Sequence, residues 1–374
     1  MENGITKRLA SLDVLRGFDL FMLVFFQPVF QAFSRVFGAE SSIQSIGRTI
    51  FSHVEWEGFQ AWDMVMPLFL FMTGASIPFA FSKFKKSKAT GGQMFRRIIK
   101  RVFILWVFGA IIQGNLLDLD IRTLHLYTNT LQSIATGYFF AAILYMYLPI
   151  RGLIIAAIVL PITYTIGMQI YGNYLPFENM AEVIDRTILG HFVDLASISD
   201  NGTVLFSKTY NYAWIYPSLN FTTTVLMGLL TGYLLKSKVE GKKKVLYLLI
   251  TGGVCIILAY ALSPIEPIIK KIWTSTMTLL SGGYSIILMA LFYYIIDILG
   301  KGKWLGWLKF YGMNSILAYM LYNTLKINSL LTYWLHGLEQ FAGVLYPTLI
   351  TLAHVTVIFF ILLYCYKKII FLKV

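Results

Sequence analysis

Residues 52–79, SHVEWEGFQAWDMVMPLFLFMTGASIPF, join a group of titratable side chains to a long apolar run. The run extends from about Asp63 to residue 82, which is the length of roughly 20 residues that a membrane-spanning helix needs. Just ahead of it lie His53, Glu55 and Glu57, in a chain of which only 13% is charged. The stretch therefore predicts a membrane helix that begins at a surface rich in titratable groups.

The composition predicts an all-α, polytopic membrane helical bundle in contact with the lipid bilayer. The chain has 374 residues, of which 57% are hydrophobic and 13% are charged, whereas a soluble domain has roughly a quarter charged residues. The formal net charge of +13 would suggest nucleic acid as a partner of a soluble protein. In a membrane protein, basic residues collect in cytoplasmic loops, so we expect no nucleic acid.

About ten apolar segments are long enough to span a membrane. Basic loops alternate with acidic or balanced ones: residues 83–101 contain eight lysines and arginines and no acid, and residues 236–244 contain five lysines and one glutamate. Under the positive-inside rule this alternation predicts cytoplasmic N- and C-termini and places His53 on the extracytoplasmic side. The predicted segments are 15–37, 63–82, 98–116, 129–148, 152–171, 218–236, 245–263, 277–298, 309–326 and 346–367.

We treat residues 1–374 as a single integral membrane domain. Its largest extracytoplasmic loop is predicted at 172–217, where the sequence indicates ordered elements, and 327–342 is a candidate amphipathic or re-entrant segment. Cys255 and Cys365 lie in apolar runs and are interpreted as small core residues. No internal repeat is visible, so an inverted-repeat transporter gains no support.

The first predicted helix carries a polar stripe. At about 100° per residue, Arg16, Asp19 and Gln27 fall within about 80° of one another. Ionisable groups in a membrane helix are costly and often functional, so these three are candidate substrate-binding residues. The alternative is an Arg16–Asp19 pair that anchors the end of the helix.

His53 is the main candidate for catalysis. A carboxylate of Asp63 or Glu55 can orient an imidazole, which can then accept a proton from an attacking amine or act as the nucleophile. The alternatives are an exposed histidine with no role and an aspartate that serves only as the N-cap of its helix. The H-x-E-x-E spacing matches no known set of metal ligands, so we expect no metal.

Further polar groups lie in the predicted membrane segments. They either hydrogen-bond to neighbouring helices or line a polar cavity that binds substrate, and the candidates include Gln132, Asn314 and Ser315.

Several sequence blocks together resemble the transmembrane heparan-alpha-glucosaminide N-acetyltransferases and their bacterial relatives. The blocks are RLASLDVLRGFDLFMLVFF, HVEWEGFQAWDMVMPLFLFMTGASIPF, RRIIKRVFILWVFGAIIQG, TLQSIATGYFFAAIL, FYGMNSILAYML and YKKIIFLKV. They occur in the family's order and cover most of the chain except the 172–217 loop. The S-L-D-x-L-R-G opening occurs in other acyltransferase families, whereas its combination with H-V-E-W-x-G-F-x-x-x-D-x-x-x-P is more specific.

The resemblance implies transfer of acetyl from cytosolic acetyl-CoA, as co-substrate, to a glucosamine amine across the membrane. It implies that His53 is the catalytic histidine, and it matches Asp63 and the block Gly312–Ser315 to family positions. Gln27 stands where the eukaryotic enzymes have an asparagine, which implies a different acceptor or pose. The family's extra luminal region is not found, which suggests a prokaryotic protein of the bacterial inner membrane.

The predicted function is thus an acetyl-CoA-dependent N-acetyltransferase. Three basic residues, Arg97, Lys100 and Arg101, are candidates for binding the anionic nucleotide of the donor, although membrane topology alone also explains them. The expected partners are the bilayer and an amino-sugar or glycan acceptor, with a homodimer as one candidate assembly. Two alternatives are a transporter of an amino sugar or its N-acetyl form, and an acyltransferase for another surface glycan.

Overall fold

The computed structural model describes residues 9–38, 40–86, 91–199, 201–207, 212–325 and 327–372, and they are mostly helical. Lys88, in the basic loop 83–101, and Lys373, in the block YKKIIFLKV, lie outside the described residues. The α-helices are α1 (Ala10–Phe21), α2 (Gln27–Ser34), α3 (Ser42–Phe51), α4 (Val65–Lys86), α5 (Gly91–Ile112), α6 (Thr130–Tyr147), α7 (Ile150–Tyr171), α8 (Met180–Leu189), α9 (Ser218–Lys236), α10 (Gly241–Leu262), α11 (Ser275–Tyr293), α12 (Leu308–Met313), α13 (Ser315–Thr324), α14 (Ile327–Leu335), α15 (Glu339–Ala342) and α16 (Tyr346–Lys367).

Shorter elements connect or extend these helices. Two π-helical turns extend α1 and α11, at Met22–Phe26 and Tyr294–Ile298. A two-stranded antiparallel hairpin is formed by β1 (Ser197–Ile198) and β2 (Val204–Leu205). The 3₁₀ turns are Arg35–Phe37, Ala61–Met64, Leu116–Asp118, Gly190–Phe192, Lys303–Leu305, His336–Leu338 and Gly343–Leu345.

Seven helical stretches in the described part of the chain are long and apolar enough to cross a membrane, which makes this an all-α polytopic membrane protein. The other three predicted spans, 98–116, 129–148 and 309–326, lie mainly on α5, on α6, and on α12 with α13. None of these helices is among the seven stretches. The number of crossings therefore stays a prediction. The seven stretches are Ala10–Phe37, Ala61–Ser82, Ile150–Tyr171, Ser218–Lys236, Gly241–Leu262, Ser275–Ile298 and Ile327–Lys367.

The described chain forms two compact units. The terminal unit contains residues 9–53, 60–65 and 292–372, and the central unit contains residues 54–59 and 66–291. The division does not fall at the predicted 172–217 loop. The terminal unit combines segments that are more than 200 residues apart in sequence, so long-range helix packing, and not local folding alone, holds it together.

In the terminal unit, α1 and α12 approach each other until their backbones touch. A Cβ atom added to Gly17 would lie 1.9 Å from the carbonyl oxygen of Leu308, and one added to Gly312 would lie 2.0 Å from that of Asp13. Small residues allow this close approach in membrane proteins, where van der Waals packing replaces much of the hydrophobic driving force between helices. The glycines of R-G-F-D and Y-G-M-N are thus packing residues.

The central unit uses the same device between α4 and α9. A Cβ atom would lie 1.8 Å from the Val225 carbonyl oxygen at Gly74, and 1.9 Å from the Phe71 carbonyl oxygen at Gly228. Gly232, four residues after Gly228, would meet the carbonyl oxygen of Ala75 at 2.3 Å. One face of α9 is therefore closed to any side chain.

The prediction of ordered elements at 172–217 is confirmed by α8 and the β1–β2 hairpin. Asp185 of α8 is buried and accepts hydrogen bonds from the backbone N–H groups of Trp214 at 2.7 Å and Ile215 at 2.9 Å. Burial raises the pKa of the Asp185 carboxyl to about 7, and these two bonds partly oppose the shift. The carboxyl thus fastens α8 to the chain that leads into α9.

Replacing Gly228 with Ala should destabilise the protein by roughly 2–3 kcal/mol, because a new methyl group in a packed interface forces backbone shifts. Gly253 is the matched control, since a Cβ there meets no atom within 4 Å. The Gly253→Ala protein should be as stable as the original or up to about 1 kcal/mol more stable, because Ala favours a helix. Thermal unfolding in detergent measures both variants, and equal midpoints would contradict the packing argument.

Replacing Asp185 with Asn should change how stability depends on pH. A carboxyl whose pKa is raised by folding stabilises the folded state fully below about pH 4, and this contribution is lost as the pH rises towards the folded-state value. The Tm of the original protein minus that of Asp185→Asn should therefore fall between pH 4 and 7 and stay level above pH 8. Asp118→Asn, at an exposed position, is the control; a flat difference for Asp185→Asn would refute the assignment.

Candidate functional site

The site is built around a hydrogen-bonded pair in the terminal unit. The Nδ1 atom of His53 lies 2.7 Å from Oδ1 of Asp63. Asp63 is 1% exposed, whereas the His53 side chain is 42% exposed. A buried carboxylate thus holds one edge of an imidazole that remains accessible, and Asp63 is one of the two carboxylates that the sequence offered for this position.

Asp63 is fixed by the start of its own helix. Its Oδ2 atom accepts a hydrogen bond from the backbone N–H of Gln60 at 2.9 Å. Gln60, and not Asp63, is the N-cap of the 3₁₀ turn Ala61–Met64, and the two residues form a reciprocal capping box. The prediction that Asp63 caps its helix is therefore confirmed, but its position is corrected: Asp63 is the third residue of the turn, and its side chain reaches back three residues to satisfy the N-cap amide. One carboxylate caps the helix with one oxygen and holds His53 with the other.

The loop that carries His53 is closed at its base by two aromatic rings. Phe51, the last residue of α3, and Trp62 make an edge-to-face contact with ring centroids 5.1 Å apart. Inside the loop, the Ser52 hydroxyl donates to Oε1 of Gln60 at 3.0 Å. These contacts bring His53 and Asp63 together across ten positions of sequence. In the sequence, only the Q-x-x-D spacing of Gln60 and Asp63 could have indicated any of them.

Gln27 contacts this loop from α2. Its Nε2 atom donates to the carbonyl oxygen of Phe51 at 3.2 Å. A π-turn at Met22–Phe26 precedes it, with the backbone N–H of Gln27 bonded to the carbonyl of Met22. Pro28 accounts for this turn, since its ring cannot sit against the carbonyl four residues earlier in a regular α-helix. The helix is therefore not regular at this turn, and Gln27 lies where residue 26 of a regular helix would lie, about 20° from Asp19.

Arg16 and Asp19 remain one turn apart on α1. Asp19 is 4% exposed, and within the described residues its Oδ2 atom has no hydrogen-bond partner. Arg16 is half-buried. A buried carboxylate oxygen without a partner is costly, which makes Asp19 the polar group of this helix best suited to a ligand.

Glu55, the other carboxylate predicted to orient His53, belongs to the central unit and is exposed. Its segment is fastened within that unit at two points. The Trp56 indole N–H donates to the carbonyl of Tyr174 at 3.1 Å, and the backbone N–H of Gly58 donates to the carbonyl of Ile268 at 2.8 Å. These anchors could not be predicted from the sequence, because they depend on residues more than 100 positions away.

Gln132 acts within the central unit as a structural residue. Its Oε1 atom accepts from the backbone N–H groups of Thr128 at 2.8 Å and Asn129 at 3.1 Å, and its Nε2 donates to the carbonyls of Leu126 at 2.8 Å and Trp106 at 3.4 Å. Both ends of this fully buried amide are occupied by backbone. It shapes the chain that enters α6.

Asn314 separates α12 from α13, and its side chain hydrogen-bonds to the backbone of residues 370 and 372. Its Nδ2 donates to the carbonyl of Ile370 at 3.1 Å, and its Oδ1 accepts from the N–H of Leu372 at 3.2 Å. Asn314 is 1% exposed. Its neighbour Ser315 is half-buried at the start of α13. The amide of Asn314 is thus committed to backbone, while Ser315 is still a candidate.

The basic candidates lie on α5 in the central unit. Arg97 and Lys100 are exposed. The guanidinium of Arg101 packs over the ring of Tyr138 on α6, 4.2 Å from its centroid. Such a contact holds the guanidinium plane while its edge can still bind an anion.

The pair can act in two ways. With Asp63 accepting from Nδ1–H, the other ring nitrogen of His53 is the basic one, which can accept a proton or attack a carbonyl carbon. Within the described residues, no group of three or more His, Cys, Asp or Glu side chains is placed to hold a metal ion.

Comparison with known proteins places the chain at a distance from one enzyme family. No family model matches it. It is 23% identical over 375 residues to the heparan-alpha-glucosaminide N-acetyltransferase of Homo sapiens, which covers 85% of this chain and 53% of that protein. The Mus musculus enzyme of the same name is 23% identical over 377 residues, covering 85% and 54%. The chain thus spans about half the length of these curated relatives and is distantly related to them.

The Asp63 hydrogen bond should govern the reactivity of His53. In Asp63→Asn the imidazole loses its anionic partner, so acylation of His53 by diethyl pyrocarbonate at pH 8.5, where an ordinary imidazole is neutral, should slow several-fold. Mass spectrometry of the His53 peptide measures the rate. The exposed Glu55→Gln variant should react like the original protein, and an unchanged rate in Asp63→Asn would contradict the role of the pair.

Proposed function

We propose that this chain is a membrane acetyltransferase that moves an acetyl group from cytosolic acetyl-CoA to the amine of a glucosamine-type sugar on the extracytoplasmic side. The observation that carries the proposal is the half-exposed His53 held by the buried Asp63. The distant relationship to membrane N-acetyltransferases supports the reaction class. Positive-inside loop charges support the sidedness.

The reaction forms a carbon–nitrogen bond and breaks a carbon–sulfur bond. The neutral amine attacks the thioester carbonyl, His53 accepts the proton that the amine loses, and the thiolate leaves and takes up that proton. In the covalent variant, the ring nitrogen opposite Nδ1 attacks the thioester carbonyl and expels the thiolate. The amine then attacks the acetyl-imidazole, the bond between the acetyl carbon and the ring nitrogen breaks, and the proton that the amine loses is taken up by the thiolate. In both variants Asp63 stabilises the positive charge that develops on the imidazole ring.

The donor and the acceptor use different groups in this proposal. The anionic nucleotide binds Arg97, Lys100 and Arg101, and the planar guanidinium groups suit its phosphates. For the acceptor, Asp19 provides a carboxylate oxygen that has no hydrogen-bond partner among the described residues and could bind an ammonium or hydroxyl group, with Arg16 and Ser315 as further contacts. Gln132 and Asn314 are left out, because backbone groups occupy their amides.

The test uses purified protein in lipid nanodiscs with radiolabelled acetyl-CoA and glucosamine. His53→Gln should lose at least about 100-fold in transfer, the scale of general acid–base catalysis. His336→Gln, which changes an exposed histidine of the 3₁₀ turn that follows α14, should keep full activity.

Transfer by a folded His53→Gln protein would overturn the mechanism. If the original protein transfers no label to sugar but takes up sugar when reconstituted in vesicles without a donor, the transporter alternative replaces the enzyme. Label transferred only to a different glycan would keep the enzyme and change its acceptor.

A further inference from the structure

The carbonyl group of Phe51 is the point at which α2 meets the His53 loop. This carbonyl belongs to the last turn of α3, and the carbonyl groups of a last turn have no hydrogen-bond partner inside their own helix. Gln27 donates to it at 3.2 Å, and Gln31, one turn later on α2, donates to it at 3.5 Å. Two amides on one face of α2 therefore receive a helix end that lies two residues before His53.

The ring of Phe51 is held as firmly as its carbonyl. It is 4% exposed and contacts Phe26 and Phe30 of the first helical stretch, with centroids 5.7 Å and 5.3 Å apart. Its contact with Trp62 lies directly before Asp63 in the chain. A shift of Phe51 would therefore displace both His53 and the Phe51–Trp62 contact that closes its loop.

The π-turn sets the direction of the Gln27 side chain. Because a π-turn carries an extra residue, the helix beyond it is rotated by about one residue relative to a continuous α-helix. Gln27 is the first residue of α2 after this turn. Gln27 then takes the direction that residue 26 would have in a regular helix, about 20° from Asp19 and about 80° from Arg16. From this position its amide donates to the Phe51 carbonyl.

We infer that Gln27 is a positioning residue for the acetyl transfer, acting on His53 through the Phe51 carbonyl and not through contact with the sugar. The inference rests on the proposed function and gives Gln27 a role other than the substrate binding for which the sequence made it a candidate. A hydrogen bond at 3.2 Å to a fixed carbonyl keeps the loop within the narrow range of poses in which the imidazole faces the reacting amine. Loss of this bond should lower turnover while leaving substrate binding intact.

Gln27→Met tests this inference, since Met keeps the length and volume of the side chain and lacks the donor. We expect kcat to fall about 10- to 100-fold, with KM for acetyl-CoA and for glucosamine changed less than 2-fold. Gln31→Met should have a smaller effect, because its bond is longer. Gln340→Met, which changes an exposed glutamine, should behave like the original protein.

A rise in KM for the sugar with kcat unchanged would overturn the inference, since it would show that Gln27 binds the acceptor. Unchanged kinetics in Gln27→Met would overturn it as well. Thermal unfolding of each variant identifies any protein that has failed to fold. For that case Gln27→Glu, which keeps a polar side chain but sets a carboxylate against the carbonyl, should show the same loss of kcat.

A second readout needs no transferase activity and so separates this inference from the proposed function. Acylation of His53 by diethyl pyrocarbonate at pH 8.5 should slow in Gln27→Met in the same direction as in Asp63→Asn, because the displaced ring loses its carboxylate partner. Acylation of His336 in the same sample should not change. If the original protein lacks transferase activity while the His53 rate still falls, the positioning role stands and the reaction is different; an unchanged His53 rate overturns the role.

Discussion

The contact on which the terminal unit depends is the approach of two helix backbones at glycine. Gly17 and Gly312 lie so close to the opposing carbonyls that no side chain fits at either position. In a bilayer, lipid tails compete equally well for apolar side chains, so close packing of this kind supplies much of the attraction between helices. Because α1 continues through the π-turn into α2, the glycine contact also fixes the helix that carries Gln27. The supports of His53 thus begin at a packing contact more than two helical turns away.

The candidate site shows how a chain with few charges uses one of them twice. Asp63 is buried, and a buried carboxylate is tolerated only when its oxygens are hydrogen-bonded. One oxygen caps the helix that begins at residue 61, and the other holds the imidazole. The two hydrogen bonds that stabilise the buried charge also fix the orientation of the carboxylate. Helix initiation and histidine orientation are therefore one structural feature, and a substitution there affects both.

Much of the site was predictable because the evidence for it is local. His53 precedes an apolar run, and the ten-residue interval to Asp63 is short enough for the loop to bring the pair together. The Gln60 cap was missed, because Asp63 is the residue type that usually occupies the N-cap. The hydrogen-bond partners of the amide side chains were not predictable. In the sequence, Gln132 and Asn314 resemble residues that bind a polar substrate, but in the structure both the oxygen and the nitrogen of each amide are bonded to backbone groups.

The sequence by itself determined that this is a helical membrane protein, where most of its helices lie, and that His53 stands beside carboxylates at the start of one of them. These properties follow from hydropathy over about 20 residues and from short spacings, which are fixed before the chain folds. Only the tertiary structure decided that Asp63 bonds to the imidazole, that a π-turn precedes Gln27, and that the Phe51 carbonyl accepts from its amide. Those outcomes depend on side-chain direction across contacts between distant segments, and hydrogen bonds of about 3 Å are too sensitive to geometry for spacing alone to predict.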